Sequence, residues 1–209
     1  MKKLILMLAI LALVSPAFAQ EIEGASEATT TEKKKKDKPK KAKKSKKKKT
    51  RINLSNVLVI GQIDNSEDRY SLEINLTQMF TAGGVKTMPS LNILKMGGDA
   101  VILASDSMQQ VVASKGIDTY VIVSVRGYDR RFKVSAKQQN FSEALEAASL
   151  FDLYRQDIVS ISFEFKFFRG GEFVHGDIIK CGNISDRETV LKRFRSKVTK
   201  KIEKKWTSK

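Results

Sequence analysis

The sequence predicts an α/β fold of the α+β kind, built on a mixed sheet, and three observations carry that prediction. Between Asn56 and Ser90 an apolar run, an amphipathic run and a second short apolar run follow one another as strand, crossover helix and parallel strand. From Val159 to Phe167 apolar and polar residues alternate, and Gly170-Gly171 then reads as a two-residue turn into an antiparallel return. From Val190 to Trp206 apolar residues recur at three- and four-residue steps, as in a terminal helix packed on the sheet.

In the first unit, Val57, Leu58, Val59 and Ile60 form a continuous aliphatic run, as expected for a strand covered on both faces. Asn65 and Ser66 can cap the helix that follows, with Glu67 and Asp68 in its first turn, where the helix dipole favours negative charge. Leu72, Leu76, Met79, Phe80 and Gly83 fall on one face, and Gly83-Gly84 stops the helix. From Ser90 to Leu103, with glycines at 97 and 98, no period dominates, and a short helix or loop is expected. Asp106 and Gln109 make a weak capping box for a helix with Met108, Val111 and Val112 on one face, ending at Gly116. Thr119 to Arg126 reads as another central strand.

Phe141 to Arg155 reads as a helix with Leu145, Ala148 and Phe151 to Leu153 as its apolar positions. In the alternating strand, Val159, Ile161, Phe163, Phe165 and Phe167 are expected to be buried, and Ser160, Ser162, Glu164 and Lys166 to face water. Phe173 to Cys181 returns antiparallel, which makes Phe168 and Phe173 cross-strand neighbours. Their face suits either a covering helix or a partner. Ser185-Asp186-Arg187-Glu188 is a capping box for the last helix. Its apolar positions are Val190, Leu191, Phe194, Val198, Ile202 and Trp206, and Lys192, Arg193, Arg195, Lys197, Lys200, Lys201, Lys204 and Lys205 fill the rest. Such a helix either docks on the sheet with its lysines in water or lies on a membrane. Trp206 is the residue that most favours the membrane.

Ahead of this domain, residues 1–19 have the pattern of a secretion signal: Lys2 and Lys3, an apolar stretch from Leu4 to Val14, and Ala17-Phe18-Ala19 as the cleavage site. The alternative, an uncleaved anchor, needs roughly 20 apolar residues, and this run is shorter. Cleavage after Ala19 and a periplasmic or secreted location are expected. With no cysteine near the cleavage site, a bacterial lipid anchor is not expected.

Residues 20–55 read as a tether, leaving 56–209 as the single α/β domain. Glu32 to Arg51 holds thirteen lysines and one arginine against Glu32 and Asp37, so it carries +12 of the overall +16. Residues 52–184 carry −2 and residues 185–209 carry +7, so the basicity belongs to the two ends. A block of like charges with almost no apolar residues cannot offset its ordering entropy, and disorder is expected. Lys33, Lys34, Lys35, Lys36, Lys40, Lys41, Lys43, Lys44, Lys46, Lys47, Lys48 and Lys49 are the candidate binding residues. Behind a secretion signal, nucleic acid is disfavoured as their partner. An anionic lipid, lipopolysaccharide or cell-wall polymer fits, each lysine contributing at most about 1 kcal/mol at a membrane surface. A solvated linker with no partner is the alternative.

One histidine and one cysteine, His175 and Cys181, cannot build a multi-ligand zinc site in one subunit, and on one strand they stand about 20 Å apart. No nucleophile motif surrounds any serine, so neither catalytic residues nor a cofactor or metal are expected. Cys181 reads as a small buried apolar residue. Gly61 follows a strand, yet the glycine spacing of a dinucleotide or phosphate loop is missing. Asp64, Asp68 and Glu73 lie near a strand's C-terminal end, where α/β sheets bind ligands. The plainer reading makes Arg69 and Glu73 an ordinary helix pair with Asp64 in the turn.

Asp64, Arg69, Glu73, Leu76, Gly84, Val85 and Pro89-Ser90, followed by Gly116-Ile117-Asp118 before a hydrophobic strand, resemble small bacterial envelope proteins. These are periplasmic modules and lipoproteins whose α/β domain is similar to the amino-terminal domain of TolB. The resemblance spans roughly residues 55–205. It implies a non-enzymatic interaction module with an envelope protein as partner and no catalytic residues to carry over. Many relatives have a lipidated cysteine that this chain lacks, and the lysine tether is then its electrostatic substitute. A periplasmic small-ligand-binding protein using the crevice near Asp64 is the competing expectation.

Overall fold

The computed structural model describes residues 51–94, 98–147 and 151–207, and these belong to one compact unit. The signal-like segment and the candidate lysines at 33–49 lie outside the described residues.

The aliphatic run becomes strand β1 (Asn56–Gln62), with Val57 to Ile60 fully buried. Asn65 caps helix α1 (Ser66–Ala82) by accepting from the Glu67 and Asp68 amides, and Leu72, Leu76 and Phe80 face inward with no exposure. Gly83 ends α1 where the C-terminal segment crosses it: a Cβ there would lie 2.5 Å from Ile202 Cγ2. Strand β2 (Lys86–Pro89) then pairs parallel to β1. The uncertain stretch forms two 3-10 turns, Ser90–Asn92 and Ala100–Ala104. Helix α2 (Asp106–Ser114) starts one residue earlier than a capping box on Asp106 requires, because Ser105 occupies the cap position and gives its hydroxyl to Ile102 O. Strand β3 (Thr119–Gly127) returns on the other side of β1, also parallel.

Strands β4 (Ser160–Arg169) and β5 (Glu172–Gly182) complete a mixed sheet in the order β2-β1-β3-β4-β5. Gly170 and Gly171 both take positive φ, 57° and 81°, as a primed two-residue hairpin requires. Phe168 pairs with Phe173 as expected, their rings 5.7 Å apart. Val174 is left unpaired between Phe173 and His175, a bulge that puts those two side chains on opposite faces.

Helices α1 and α4 (Arg187–Lys201) cover one face of the sheet. The 3-10 turns, α2 and the short helix α3 (Phe141–Glu146) cover the other, where Phe141 packs on Phe168 and Tyr120. Trp206 ends a final π-helical turn, Ile202–Trp206, and is fully buried against Phe80, Phe165 and Phe167. The apolar face of α4 is therefore spent on the core, and its docked form is the one observed.

Five expectations are corrected. The helix expected over 141–155 stops at Glu146, because the Gln62 side chain donates to Leu145 O and Ala147 O, taking carbonyls that a continuing helix would use. Beyond it, Leu153 N donates to Asp68 Oδ2 at 3.1 Å. The polar face of β4 is not wet: the loop over 128–140 lies on it, with Ser162 bonded to Asp129 O, Ser135 N to Glu164 Oε1 and Lys166 to Gln139. Ser162 and Glu164 are 0% and 2% exposed, while Val159, expected inside, is 73% exposed and precedes the strand. Helix α4 begins one residue later than its predicted capping box, with Asp186 as cap accepting from Thr189 N at 2.7 Å. Finally, ordered structure starts before Asn56. Ile52 and Leu54 are buried, and their amides donate to Lys205 O and Trp206 O.

Candidate functional site

Two concave regions stand out, and they differ in chemistry. The first runs along β5 and α4. It has a volume of about 430 Å³, a floor of Ile178 and Ile179, and a rim made by Arg130, Lys180, Lys197, Lys200, Lys201, Lys204 and Lys205. The β5 backbone places Lys180 beside the floor. Lys197, Lys200 and Lys201 project from the last two turns of α4, where residues three and four apart share a helix face, and Lys204 follows on the π-helical turn. Arg130 reaches in from the loop that covers the far side of β4, its side chain 3.2 Å from where a Cβ on Gly182 would stand.

Asp177 is the one acidic side chain paired with this set among the described residues. Its carboxylate accepts from Lys201 Nζ at 2.6 and 2.7 Å, and Lys205 Nζ stands 3.8 Å away. Burial lowers the Lys201 pKa from its ordinary value, and the Asp177 hydrogen bond pulls it back up. Arg130, Lys180, Lys197, Lys200 and Lys204 make no ion pair among the described residues. Like charges at such helical spacings each cost an isolated helix about 0.2–0.5 kcal/mol, so this arrangement does not serve folding. It raises a local positive potential suited to an anion carrying several charges.

The second region is the crevice beyond the C-terminal end of β1. The chain leaves β1 to one side through α1 and β2, then crosses to β3 on the other side, which makes this the topological switch point of the sheet. Gly61, Asp64, Arg69, Asp99 and Glu146 are among the residues around a space of about 400 Å³. Beneath it, Arg69 and Glu73 are far from an ordinary surface pair. Glu73 is completely buried, and Oε1 accepts from Gly61 N at 2.8 Å, Ser90 Oγ at 2.7 Å and Arg69 Nε at 3.1 Å. Its Oε2 accepts from Leu91 N at 3.2 Å, and Arg69 also donates to Gly98 O and Ser90 Oγ. The pair locks β1, α1 and the turn after β2 together. Asp68 is likewise structural, paired with Arg187 at 2.8 Å. The three carboxylates near β1 therefore do not converge on one ligand position.

His175 is half-buried with its ring 6.0 Å from Phe167, and burial, aided by Lys205 and Lys201, holds its pKa below the usual histidine value. Cys181 is fully buried, which pushes its thiol up to about 11. No group of three histidine, cysteine or acidic side chains able to hold a metal occurs among the described residues. No helix among them is long and apolar enough to cross a membrane.

The sequence leads one to expect the lysines of the last helix in water and does not group them. Their three- and four-residue recurrence from Lys197 to Lys204 was the available signal. Arg130 and Lys180 carried none, since only the tertiary fold brings them to α4.

No family model matches the chain, and no curated protein matches it. Among solved structures it is similar to the PelC dodecamer from Paraburkholderia phytofirmans, at 12% identity and a TM-score of 0.42, over 76% of this chain and 93% of that one. A likeness at that level carries no argument about this protein.

Proposed function

We propose that the protein is an exported, non-enzymatic accessory module of the bacterial cell envelope, similar to TolB amino-terminal-like domains. Lysines 33–49 hold it against an anionic surface while the folded domain engages an envelope protein. The observation that carries this reading is the segregation of charge. Residues 52–184 are close to neutral, and the positive charge is gathered in the tether and along the end of α4, where the groove leaves five cations unpaired among the described residues. A secretion-type amino terminus makes envelope lipids and polymers the anions such a tether meets.

Sedimentation with outer-membrane vesicles and with purified cell wall, across a salt series, tests the tether. Deleting Lys33 to Lys49 is expected to abolish binding that in the parent weakens steeply with salt. Equal binding by both proteins, or none by either, refutes the attachment.

A second reading, a periplasmic small-ligand-binding protein, is favoured by the crevice at the switch point, where the Arg69–Glu73 lock gives a rigid wall. Its test is a rise in unfolding temperature with a small envelope metabolite, as binding to the native state requires.

A further inference from the structure

We propose that the groove between β5 and α4 is a binding site for a linear anionic polysaccharide bearing carboxylates along its length. It is separate from the tether, and it rests on the export reading only for where such a polymer is met. The five cations Arg130, Lys180, Lys197, Lys200 and Lys204 line one trough without acidic partners among the described residues. Asp177 neutralises part of the remaining charge and fixes the Lys201 ammonium at 2.6 Å on the groove wall.

The geometry selects among anionic partners. Lys197 and Lys200 stand about 5–6 Å apart on successive turns of α4, and Lys204 follows on the π-helical turn, so positive charges recur along the trough as negative ones do along a chain with one charge per sugar unit. Lysine supplies point charges without the planar fork of arginine, so it matches a polymer whose charges repeat better than one carboxylate needing a fixed bidentate grip. Ile178, half-buried on the groove floor, offers an aliphatic surface against which the C–H face of a sugar ring can lie.

Other macromolecules fit less well. A bilayer cannot enter a concave trough, and α4 has no apolar face left to insert, since Val190, Phe194, Val198 and Trp206 are fully buried. Single-stranded nucleic acid favours aromatic platforms, and no aromatic residue lines the groove. A peptide strand added to the β5 edge needs its free backbone groups, but the Ile178 amide is already taken by Asp177 Oδ1 at 2.9 Å.

The test is titration calorimetry of the purified protein with polygalacturonate oligomers, with neutral dextran oligomers, oligothymidylate and phosphatidylglycerol vesicles as comparison ligands. Three variants are compared with the parent: Lys197→Glu/Lys200→Glu/Lys204→Glu in the groove, Lys192→Glu/Arg193→Glu/Arg195→Glu elsewhere on α4, and the deletion of Lys33 to Lys49. All six substituted side chains are exposed, so the fold is expected to hold, and circular dichroism and unfolding midpoints check this. The expected result is at least a tenfold loss of polygalacturonate affinity in the groove variant alone, with dextran unbound throughout. Equal losses in the two α4 variants would mean that net charge and not the groove binds, and would overturn the proposal. So would an unchanged groove variant, or a groove variant that loses oligothymidylate or vesicle binding as steeply as polygalacturonate binding. The tether reading fails separately, if the deletion leaves vesicle binding intact.

Discussion

Replacing Glu73 by leucine tests whether the Arg69–Glu73 lock holds the first strand-helix-strand unit together. The substitution keeps similar bulk and removes the only acceptor common to Gly61 N, Ser90 Oγ, Leu91 N and Arg69 Nε. Losing one partner of a buried ion pair costs about 3–5 kcal/mol, and a buried neutral donor left without an acceptor about 1–3 kcal/mol. Arg69 retains Gly98 O, and Ser90 can turn its hydroxyl, so the expected loss is about 4 kcal/mol, against about 5–15 kcal/mol for a whole domain. Urea unfolding followed through Trp206, the only tryptophan and fully buried, reads this directly. The double variant Arg69→Met/Glu73→Leu removes both charges and is expected to recover part of the loss, because an unpaired buried charge is worse than none. A Glu73→Leu loss under about 1 kcal/mol, or a double variant whose loss equals the sum of the two single ones, refutes the account.

Three further outcomes follow from particular residues. Gly170→Ala is expected to cost about 1 kcal/mol in urea unfolding, because φ is +57° there, whereas Gly170→Asn should cost much less; equal costs would contradict the primed turn. Burial holds the His175 pKa below 6.5, so between that folded value and 6.5 the unfolded chain binds more protons. Stability should therefore fall as pH drops through this window, and His175→Gln should flatten the fall; an unchanged slope argues against it. The Cys181 thiol, pushed from 9.0 to about 11, should resist alkylation in the native protein at neutral pH. Its contribution to stability should hold below pH 9 and be lost between pH 9 and about 11, a fall that Cys181→Ala should reduce.

The elements legible in the sequence were those whose own residues settle their environment. Val57 to Ile60 are apolar without a break, Asn65 is followed by a helical period, and Gly170-Gly171 allows the positive φ that the hairpin needs. Misreadings arose where a distant group intervened. The Phe141 helix ends because Gln62, more than eighty residues away in sequence, takes its last carbonyls. The polar side of β4 is dry because the loop over 128–140 supplies partners for Ser162 and Glu164. Arg69 and Glu73 show an i,i+4 spacing whether they lie at the surface or in the interior, so their spacing could not reveal the lock.

By itself the sequence determined the mixed α/β class, the strand-helix-strand start, the late hairpin and the inward stripe of the last helix, since each follows from local periodicity and turn chemistry. Tertiary structure alone decided that Trp206 closes the core, and that a loop arginine and a lysine of β5 join the α4 lysines around one groove. A hydrophobic period names the face a helix buries, but charges meet according to which elements the chain brings together, and no local pattern encodes that.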